Sequence, residues 1–187
     1  MRNLFCYFVV ALFLLSCDLL GPDKSTTVAF DSTGLELNNG VLYLNGTKFT
    51  GKVYSNSNIR KETNYEKGRK NGLDKRWFPD GSLASERYYS NGLKTGLHRS
   101  WWENNKLKFE YHFNDQGQYH GSITEWYQNG QLAKQFHYIN GQEDGPQKLF
   151  NPDGKIKANY EVVDGERFGL IGLKKCMTVT NAELEGS

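Results

Sequence analysis

Hydrophobic and polar residues alternate along short segments of this chain. In the segment LKFEYHF, residues 107–113, apolar side chains occupy every second position. The segment IKANYEV, residues 156–162, has the same pattern. A period of two places alternate side chains on opposite faces of a β-strand. We therefore expect the apolar set to be buried and the polar set to face water.

The predicted strands recur at a fixed interval. Gly72, Gly96, Gly121, Gly145 and Gly169 are 24, 25, 24 and 24 residues apart, and the positions between them are similar. Each unit holds two strands around the turn sequence PDG, ENN or QNG, since Gly and Asn accept positive φ angles at little cost. One unit is thus one β-hairpin. We place the starts of the units near residues 51, 72, 96, 121 and 145.

Pairing each hairpin with the next predicts an all-β fold, an elongated antiparallel meander of tandem hairpin repeats in a single twisted sheet. Large side chains at equivalent positions are expected to form a buried ladder, each stacked on its counterpart one repeat away. The predicted ladder residues are Trp77, Trp101, Trp126, Phe150, Leu83, Leu107, Leu132 and Ile156. The open edges of the sheet need caps, which we expect from the segments before Gly51 and after Leu173.

The first 16 residues have the features of an export signal. Arg2 precedes the uncharged run LFCYFVVALFLLS, which is too short to cross a bilayer, a span of about 20 residues. The run ends in LLSC, which resembles a bacterial lipobox, and this resemblance implies that Cys17 is lipidated and becomes the mature N-terminus. The alternative is an ordinary signal peptide in which Cys17 is incidental.

These features predict an exported protein anchored by lipid to a membrane of the bacterial cell envelope. Residues 17–29 are interpreted as a tether, 30–176 as the repeat domain and 177–187 as a C-terminal tail. Cys6 leaves with the signal and Cys17 carries lipid, so Cys176 has no partner left within the chain. We expect a partly buried free thiol there, with pairing to another molecule as the alternative.

Composition and motifs give little sign of catalysis or nucleic-acid binding. Lys and Arg number 23 against 21 Asp and Glu, and no long basic block occurs. The sequence lacks a nucleophile motif and a phosphate-binding loop, so we expect no enzyme activity and no cofactor. Among the histidines, His112 and His137 fall two strands apart, about 10 Å, and His98 and His120 lie elsewhere in the repeat. All four are interpreted as solvated residues rather than metal ligands.

The repeat units resemble MORN repeats, specifically the bacterial MORN-variant proteins often labelled YwqK-type antitoxins. The segments YEKGRKNGLDKRWFPDGSL, residues 65–83, and YINGQEDGPQKLFNPDGKI, residues 138–156, carry the resemblance. It implies a repeat scaffold and, from the family label, a role in toxin–antitoxin systems. The chain departs from the pattern at Asn105, which replaces a turn glycine, at one extra residue before Gly117, and in a shorter first unit.

Two hypotheses for function follow from these patterns. The first is a non-enzymatic envelope scaffold that binds another protein through its extended face or sheet edge. The second is a module that binds a glycan or a lipid headgroup through an outward aromatic stripe. The stripe consists of Phe78, Trp102 and Tyr127, each of which directly follows a ladder tryptophan.

Overall fold

The computed structural model describes residues 26–57 and 60–172. This part of the chain forms sixteen β-strands and no helix. The strands are β1 (Thr26–Ala29), β2 (Leu35–Asn38), β3 (Val41–Leu44), β4 (Thr47–Lys48), β5 (Gly51–Ser55), β6 (Arg60–Glu66), β7 (Arg69–Trp77), β8 (Leu83–Ser90), β9 (Leu93–Trp101), β10 (Leu107–Phe113), β11 (Tyr119–Trp126), β12 (Leu132–Ile139), β13 (Gln142–Glu143), β14 (Gly145–Phe150), β15 (Ile156–Val163) and β16 (Glu166–Leu170). The export signal, Cys17, Cys176, the C-terminal tail and the cap expected after Leu173 lie outside the described residues.

Thirteen strands form one large sheet, most of it antiparallel. From β5 to β12 each strand pairs with the next along the chain, and β14, β15 and β16 continue this order. The two-residue strand β13 pairs with β12 beside the main path. The predicted all-β meander of consecutive hairpins is therefore confirmed.

The N-terminal end of the sheet differs from the prediction. Strand β1 pairs in parallel with β5, with Thr26 opposite Gly51 and Ala29 opposite Tyr54. Strands β2, β3 and β4 form a separate three-stranded sheet. The predictions of a single antiparallel sheet and of a tether reaching residue 29 are wrong in these respects. The physical reason is that β5 is the first strand of the repeats, and without β1 its backbone N–H and C=O groups would be unpaired.

The small sheet closes the core at this end. Leu42, Phe49 and Val53 are buried together. The Leu42 N–H donates to the Gly68 carbonyl at 2.8 Å, and the Gly68 N–H donates to the Phe49 carbonyl at 2.7 Å. These backbone bonds tie the small sheet to the first hairpin of the repeats. The segment before Gly51 thus acts as the cap that the sequence predicted.

The turn inside each repeat keeps its geometry when the glycine is replaced. In the turn after β9 the Trp102 N–H donates to Lys106 O at 2.8 Å, and the Asn105 N–H donates to Trp102 O at 2.9 Å. The same two bonds recur in the other three repeats, where glycine holds the equivalent position. Asn105 has φ 61°, and asparagine is one of the few residues that tolerate this left-handed conformation. The substitution therefore preserves the turn.

The extra residue before Gly117 changes the turn between two repeats. The other links between repeats have two consecutive residues at positive φ, such as Asn91 and Gly92, which is the type I′ pattern of tight hairpins. In the link from Asn114 to Gln118, the Asn114 N–H donates to Gln118 O at 2.9 Å and the Gly117 N–H donates to Asn114 O at 3.0 Å. This is the bonding pattern of the turn inside a repeat. The insertion is accommodated by exchanging one standard turn for another.

The position two residues after each repeat glycine is the most deeply buried in the sheet. The exposed fraction there is 6% or less in five consecutive repeats. The residues of this buried column are Val53, Asp74, His98, Ile123 and Gln147. Because three of the five are polar, a hydrophobic pattern does not reveal the column. Its apolar neighbours are concentrated in the C-terminal half, where Phe136, Ala158, Tyr160 and Val162 pack with Ile123.

An aromatic ladder is present, but other residues build it. Ring contacts with centroid separations of 4.6–6.4 Å connect strands β8 to β12, and then β15, on the face that carries the buried column. The rings, in order, belong to Tyr89, His98, Phe113, Tyr119, Tyr138, Phe136 and Tyr160. None of the tryptophans takes part in a ring pair within the described part of the chain.

The predicted ladder residues instead form one cross-strand pair per hairpin at the turn end. The pairs are Trp77 with Leu83, Trp101 with Leu107, Trp126 with Leu132 and Phe150 with Ile156. Seven of the eight side chains are partly exposed, and Ile156 is 51% exposed, which contradicts its assignment to a buried face. A register shift adjoins every pair. Such a bulge re-aims side chains, so alternation cannot be extrapolated across it.

Candidate functional site

The two faces of the large sheet differ in chemistry. The face that carries the buried column is called the inner face; Phe136 lies on it opposite Ile123, and Tyr160 lies on it opposite Gln147. The other face is called the outer face. Strand alternation assigns each residue within a regular strand to one of them.

A row of cross-strand neighbours crosses the outer face with alternating charge at its N-terminal end. Opposed pairs include Lys75 and Glu86, with 3.0 Å between Nζ and Oε2, and Arg99 and Glu110, with 2.8 Å between Nε and Oε1. The row consists of Glu62, Lys75, Glu86, Arg99, Glu110, Thr124, Gln135, Lys148 and Asn159. Opposite charges directly across a strand pair favour this register over slipped ones.

The outer face becomes apolar where this row ends. Asn159 is opposite Leu170 of β16, Glu161 is opposite Phe168, and Val163 lies on the same face. Val163, Phe168 and Leu170 are 47%, 55% and 48% exposed. These three residues are called the end patch. Exposed apolar side chains grouped in this way mark interaction surfaces more often than isolated ones do.

The strand that carries most of the end patch has one free edge in the described part of the chain. Strand β16 pairs with β15 and with no other described strand. All five of its residues are exposed. An edge strand presents unpaired N–H and C=O groups to which another extended segment can bond. The end patch and the free edge are therefore adjacent.

The predicted aromatic stripe links neighbouring repeats. Trp102 Nε1–H donates to the Trp126 carbonyl at 3.0 Å, and the Tyr127 hydroxyl donates to the Phe150 carbonyl at 2.8 Å. Phe78, the third member of the stripe, is partly buried like the other two. The polar atoms of Trp102 and Tyr127 are thus already bonded to the following repeat.

One ring of the stripe is also covered by a cation of the chain itself. Lys108 Nζ lies 4.3 Å from the centre of the Trp102 ring. A cation bound over an aromatic ring would need that position. Lys108 therefore covers a ring face of Trp102 that the hypothesis of headgroup binding requires to be open.

A buried carboxylate organises the inner face of the first repeats. Asp74 is 1% exposed and accepts a hydrogen bond from the Thr63 hydroxyl at 3.1 Å. Lys70 Nζ lies 3.2 Å from its Oδ2, Lys61 Nζ lies 3.9 Å from the same atom, and Arg76 Nε lies 3.8 Å from Oδ1. Three cations therefore surround one carboxylate.

His98 is a core residue, which corrects its interpretation as a solvated histidine. It is 2% exposed and lies between the rings of Tyr89 and Phe113. Its Nε2 is 2.7 Å from the Tyr88 carbonyl, which makes Nε2–H the donor. Burial lowers the pKa of His98, and the nearby cations Arg87 and Lys94 lower it further against the opposing effect of the carbonyl bond. The neutral imidazole is thus favoured.

The tyrosines of the inner face are held in the protonated form. The Tyr111 hydroxyl donates to Glu125 Oε1 at 2.8 Å. Burial, followed by this hydrogen bond and the Glu125 charge, raises the pKa of Tyr111 well above its ordinary range. Burial and the same carboxylate also raise the pKa of Tyr119. These groups serve as hydrogen-bond donors at neutral pH.

Across residues 26–57 and 60–172 no group of three or more His, Cys, Asp or Glu side chains is placed to hold a metal ion. In the same residues no helix has the length and apolar character needed to traverse a bilayer.

Comparison with known proteins identifies the repeat type. Three consecutive segments, residues 70–91, 94–115 and 119–140, match the family model described as MORN repeat variant. These hairpins are similar to MORN-type repeats. The match confirms the resemblance for these segments and supports a repeat scaffold for interaction with proteins or membranes. The search of curated proteins gave no match.

Solved structures add little to this result. A crystal structure of S. aureus TarM with fondaparinux, α-GlcNAc-glycerol and UDP is similar at 15% identity and a TM-score of 0.33, over 61% of this chain and 22% of that chain. A second TarM crystal structure gives 16% identity and a TM-score of 0.32, over 61% and 21%. Values this low carry no argument about function.

Proposed function

We propose that this protein is a non-enzymatic scaffold of the bacterial cell envelope that binds another protein through the C-terminal end of its repeat sheet. The observation that carries the proposal is the end patch beside the free edge of β16. The partner is a protein that adds an extended segment to β16 and buries Val163, Phe168 and Leu170 under apolar side chains of its own.

The contrast between the two ends of the sheet supports this location. At the N-terminal end, β1 covers the edge of β5, and Leu42, Phe49 and Val53 are buried under the small sheet. At the C-terminal end, β16 exposes all its residues among those described. Strand addition supplies main-chain hydrogen bonds for affinity, and the alternate side chains supply specificity. The end patch offers such alternate contacts, because Phe168 and Leu170 are two residues apart on one face.

The ion pairs of the outer face disfavour docking of a partner at most other positions on it. From Glu62 to Arg99 its charges alternate across neighbouring strands, and the contacts at 2.8–3.0 Å satisfy them within the sheet. A partner covering this row would have to desolvate charged pairs, which costs more free energy than covering apolar side chains. The end patch has Glu161 and Glu166 beside it on the same face, but no ion pair of the described residues would have to be desolvated there.

The second hypothesis, a glycan- or headgroup-binding module, has weaker support. Such a module needs open ring faces at Phe78, Trp102 and Tyr127, and free polar groups on Trp102 and Tyr127. The polar atoms of Trp102 and Tyr127 bond to the next repeat, and Lys108 covers one ring face of Trp102. These contacts explain Trp102 and Tyr127 as connections between repeats.

Attachment to a membrane is part of the proposal and rests on the sequence. The LLSC motif at the end of the apolar run supports lipidation of Cys17. Because the signal would place the repeats outside the cytoplasm, an antitoxin-like role would require an exported partner. The scaffold would then neutralise that partner by occupying one of its strand edges.

Site-specific photo-crosslinking in intact cells tests the binding surface. A photoreactive phenylalanine analogue is placed at Phe168 and, as a matched control, at Phe78 in the aromatic stripe. We expect Phe168 to yield a discrete crosslinked protein and Phe78 to yield none of that product. Crosslinks from Phe78 to a glycan or lipid, with none from Phe168, would favour the second hypothesis.

The chain's own residues 173–187 are the main competitor for the free edge. Mass spectrometry of the crosslinked product distinguishes this case. A crosslink from Phe168 to residues 173–187 of the same chain would show that the edge is covered internally and would contradict the proposed docking site.

A further inference from the structure

The inner face of the first repeats carries positive charge that its own carboxylate does not balance. Lys61, Lys70 and Arg76 each lie within 4.0 Å of Asp74. Arg87 is directly opposite Asp74 in the strand register. Among the described residues, no carboxylate lies within 4.0 Å of the Arg87 side chain. Three cations therefore share one buried carboxylate, and Arg87 adds a fourth positive charge beside them.

The outer face shows that the surplus is a local feature. There each central cation meets its own acid, as Lys75 meets Glu86 and Arg99 meets Glu110. The two arrangements occupy the same strands β7 and β8 on opposite sides. A surplus of like charges in one place destabilises the unbound protein and favours an anionic ligand.

Three buried side-chain atoms at this position, on Asp74, Arg76 and Ser85, have no hydrogen-bond partner within the described residues. Ser85 is 3% exposed, and its hydroxyl has no hydrogen-bond partner within the described residues. Ser85 is directly opposite Arg76 in the strand register, so the two side chains share the inner face. Arg76 Nε is also buried without a hydrogen bond, and it lies 3.8 Å from Asp74 Oδ1, which is unpaired too. Buried donors are rarely left without an acceptor, and the Ser85 hydroxyl can donate to an oxyanion.

The cations remain reachable from solvent. The side chains of Lys61, Lys70 and Arg76 are 33%, 30% and 40% exposed. Burial lowers the pKa of Lys61 against the opposing charge of Asp74, and the charges of Lys70, Arg76 and Arg87 lower it further. Partly desolvated cations bind carboxylates more strongly than fully hydrated ones.

We propose that Lys61, Arg76, Arg87 and Ser85 form a site for the carboxylates of an acidic segment of a partner protein. The cations are rooted on β6, β7 and β8, which together span about 10 Å. An extended segment crossing these strands presents side chains on one side about 7 Å apart. Two acidic residues in alternate positions therefore reach the whole site, with the guanidinium groups as bidentate donors. The proposal rests on the proposed function, since it gives the chemistry of a second contact with a protein.

Binding of a fluorescent decaglutamate peptide to the full-length protein in neutral detergent tests the site. We expect the double variant Arg76→Gln with Arg87→Gln to weaken binding at least about tenfold, because charge-assisted bonds are the strong ones. Arg87→Gln alone should also weaken it, and this variant removes no contact with a carboxylate of the chain. The control Arg99→Gln removes the same charge from the outer face and should change the affinity less than about threefold.

Three results would overturn this proposal. The first is that the peptide does not bind to the wild-type protein. The second is that Arg99→Gln loses as much affinity as the double variant Arg76→Gln with Arg87→Gln. The third is that inorganic phosphate displaces the peptide at a lower concentration than free glutamate peptide does. The last result would assign the site to phosphate. Phe168→Asp should leave peptide binding intact, so failure of the end patch and failure of this site are separately observed.

Discussion

The indole nitrogen of Trp102 donates a hydrogen bond of 3.0 Å to the carbonyl oxygen of Trp126. Trp126 holds the position in the next repeat that Trp101 holds in this one. In the next repeat, Tyr127 repeats the contact with Phe150 at 2.8 Å. Trp102 and Tyr127, each of which follows a turn-end aromatic, thus connect their hairpins to the following ones. In a repeat protein, such contacts between neighbours supply much of the stability.

Replacement of Trp102 by phenylalanine should therefore reduce stability. Trp102→Phe keeps an aromatic ring and removes the donor, so we expect a loss of about 1–2 kcal/mol in the free energy of unfolding. Chemical denaturation of the purified protein measures it. The matched control is Trp101→Phe, because the Trp101 indole has no hydrogen-bond partner in the described part of the chain. Equal losses in the two variants would show that the bond contributes nothing.

The turn at Asn105 gives a prediction with opposite outcomes for two small residues. Asn105 has φ 61°. Asn105→Ala should cost about 1–2 kcal/mol, because alanine disfavours the left-handed conformation. Asn105→Gly restores the glycine of the other repeats and should be neutral within a few tenths of a kcal/mol. Thermal denaturation compares them, and a stable alanine variant would show that the turn changes its geometry.

Repeat spacing, hairpin turns and strand order were predictable because they depend on local sequence. Gly and Asn at regular intervals define the turns, and alternation within β10 and β15 identifies the strands. The buried column was not predictable, because Asp74, His98 and Gln147 are polar and become acceptable in the core only through partners on neighbouring strands. Gln147, for example, donates from Nε2 to His137 O at 2.8 Å and to Asp144 O at 3.0 Å.

The end patch and the bulges also required the structure. Trp126 and Leu132 are paired as the repeat alignment suggests, yet the adjacent register shift leaves them partly exposed. A signal for the charged row was present, since Lys75 and Glu86 have opposite charges in predicted adjacent strands. Whether these two residues meet depends on the cross-strand register, which is set by the exact turn length. The sequence pattern does not define the turn length to better than one residue.

Burial of His98 should make the protein less stable in acid. Its pKa in the folded state is lowered from the ordinary value of 6.5, so the unfolded chain binds the proton more readily. Stability is therefore complete above the unfolded pKa and declines as the pH falls below 6.5 towards the folded pKa. Between pH 7.5 and pH 5 we expect the unfolding free energy of the wild type to fall more than that of His98→Leu.

An exposed histidine provides the control for this pH dependence. His120→Gln removes a histidine from the surface. This variant should show the same decline between pH 7.5 and pH 5 as the wild type in urea denaturation. If His98→Leu also declines in parallel with the wild type, another group causes the acid sensitivity.

The anchor gives a prediction about the segment outside the described residues. Only a cysteine thiol accepts the lipid, so Cys17→Ala should abolish labelling with radioactive palmitate. The variant is expected as an uncleaved precursor or in soluble fractions, because two or more acyl chains are needed for stable attachment. Cys6→Ala is the matched control and should keep its label. A wild-type protein that takes up no palmitate would contradict the lipoprotein assignment.

The most direct test of the account measures the affinity of the protein for the partner that crosslinks to Phe168. We expect Phe168→Asp with Leu170→Asp to weaken binding at least about a hundredfold, because two charged groups would have to be buried in an apolar contact. Asn159→Asp with Glu161→Gln changes the opposite residues of β15 while keeping the end patch, and should alter the affinity less than about threefold. Undiminished binding by the Phe168→Asp, Leu170→Asp variant would contradict the assignment of the C-terminal sheet edge as the interaction site.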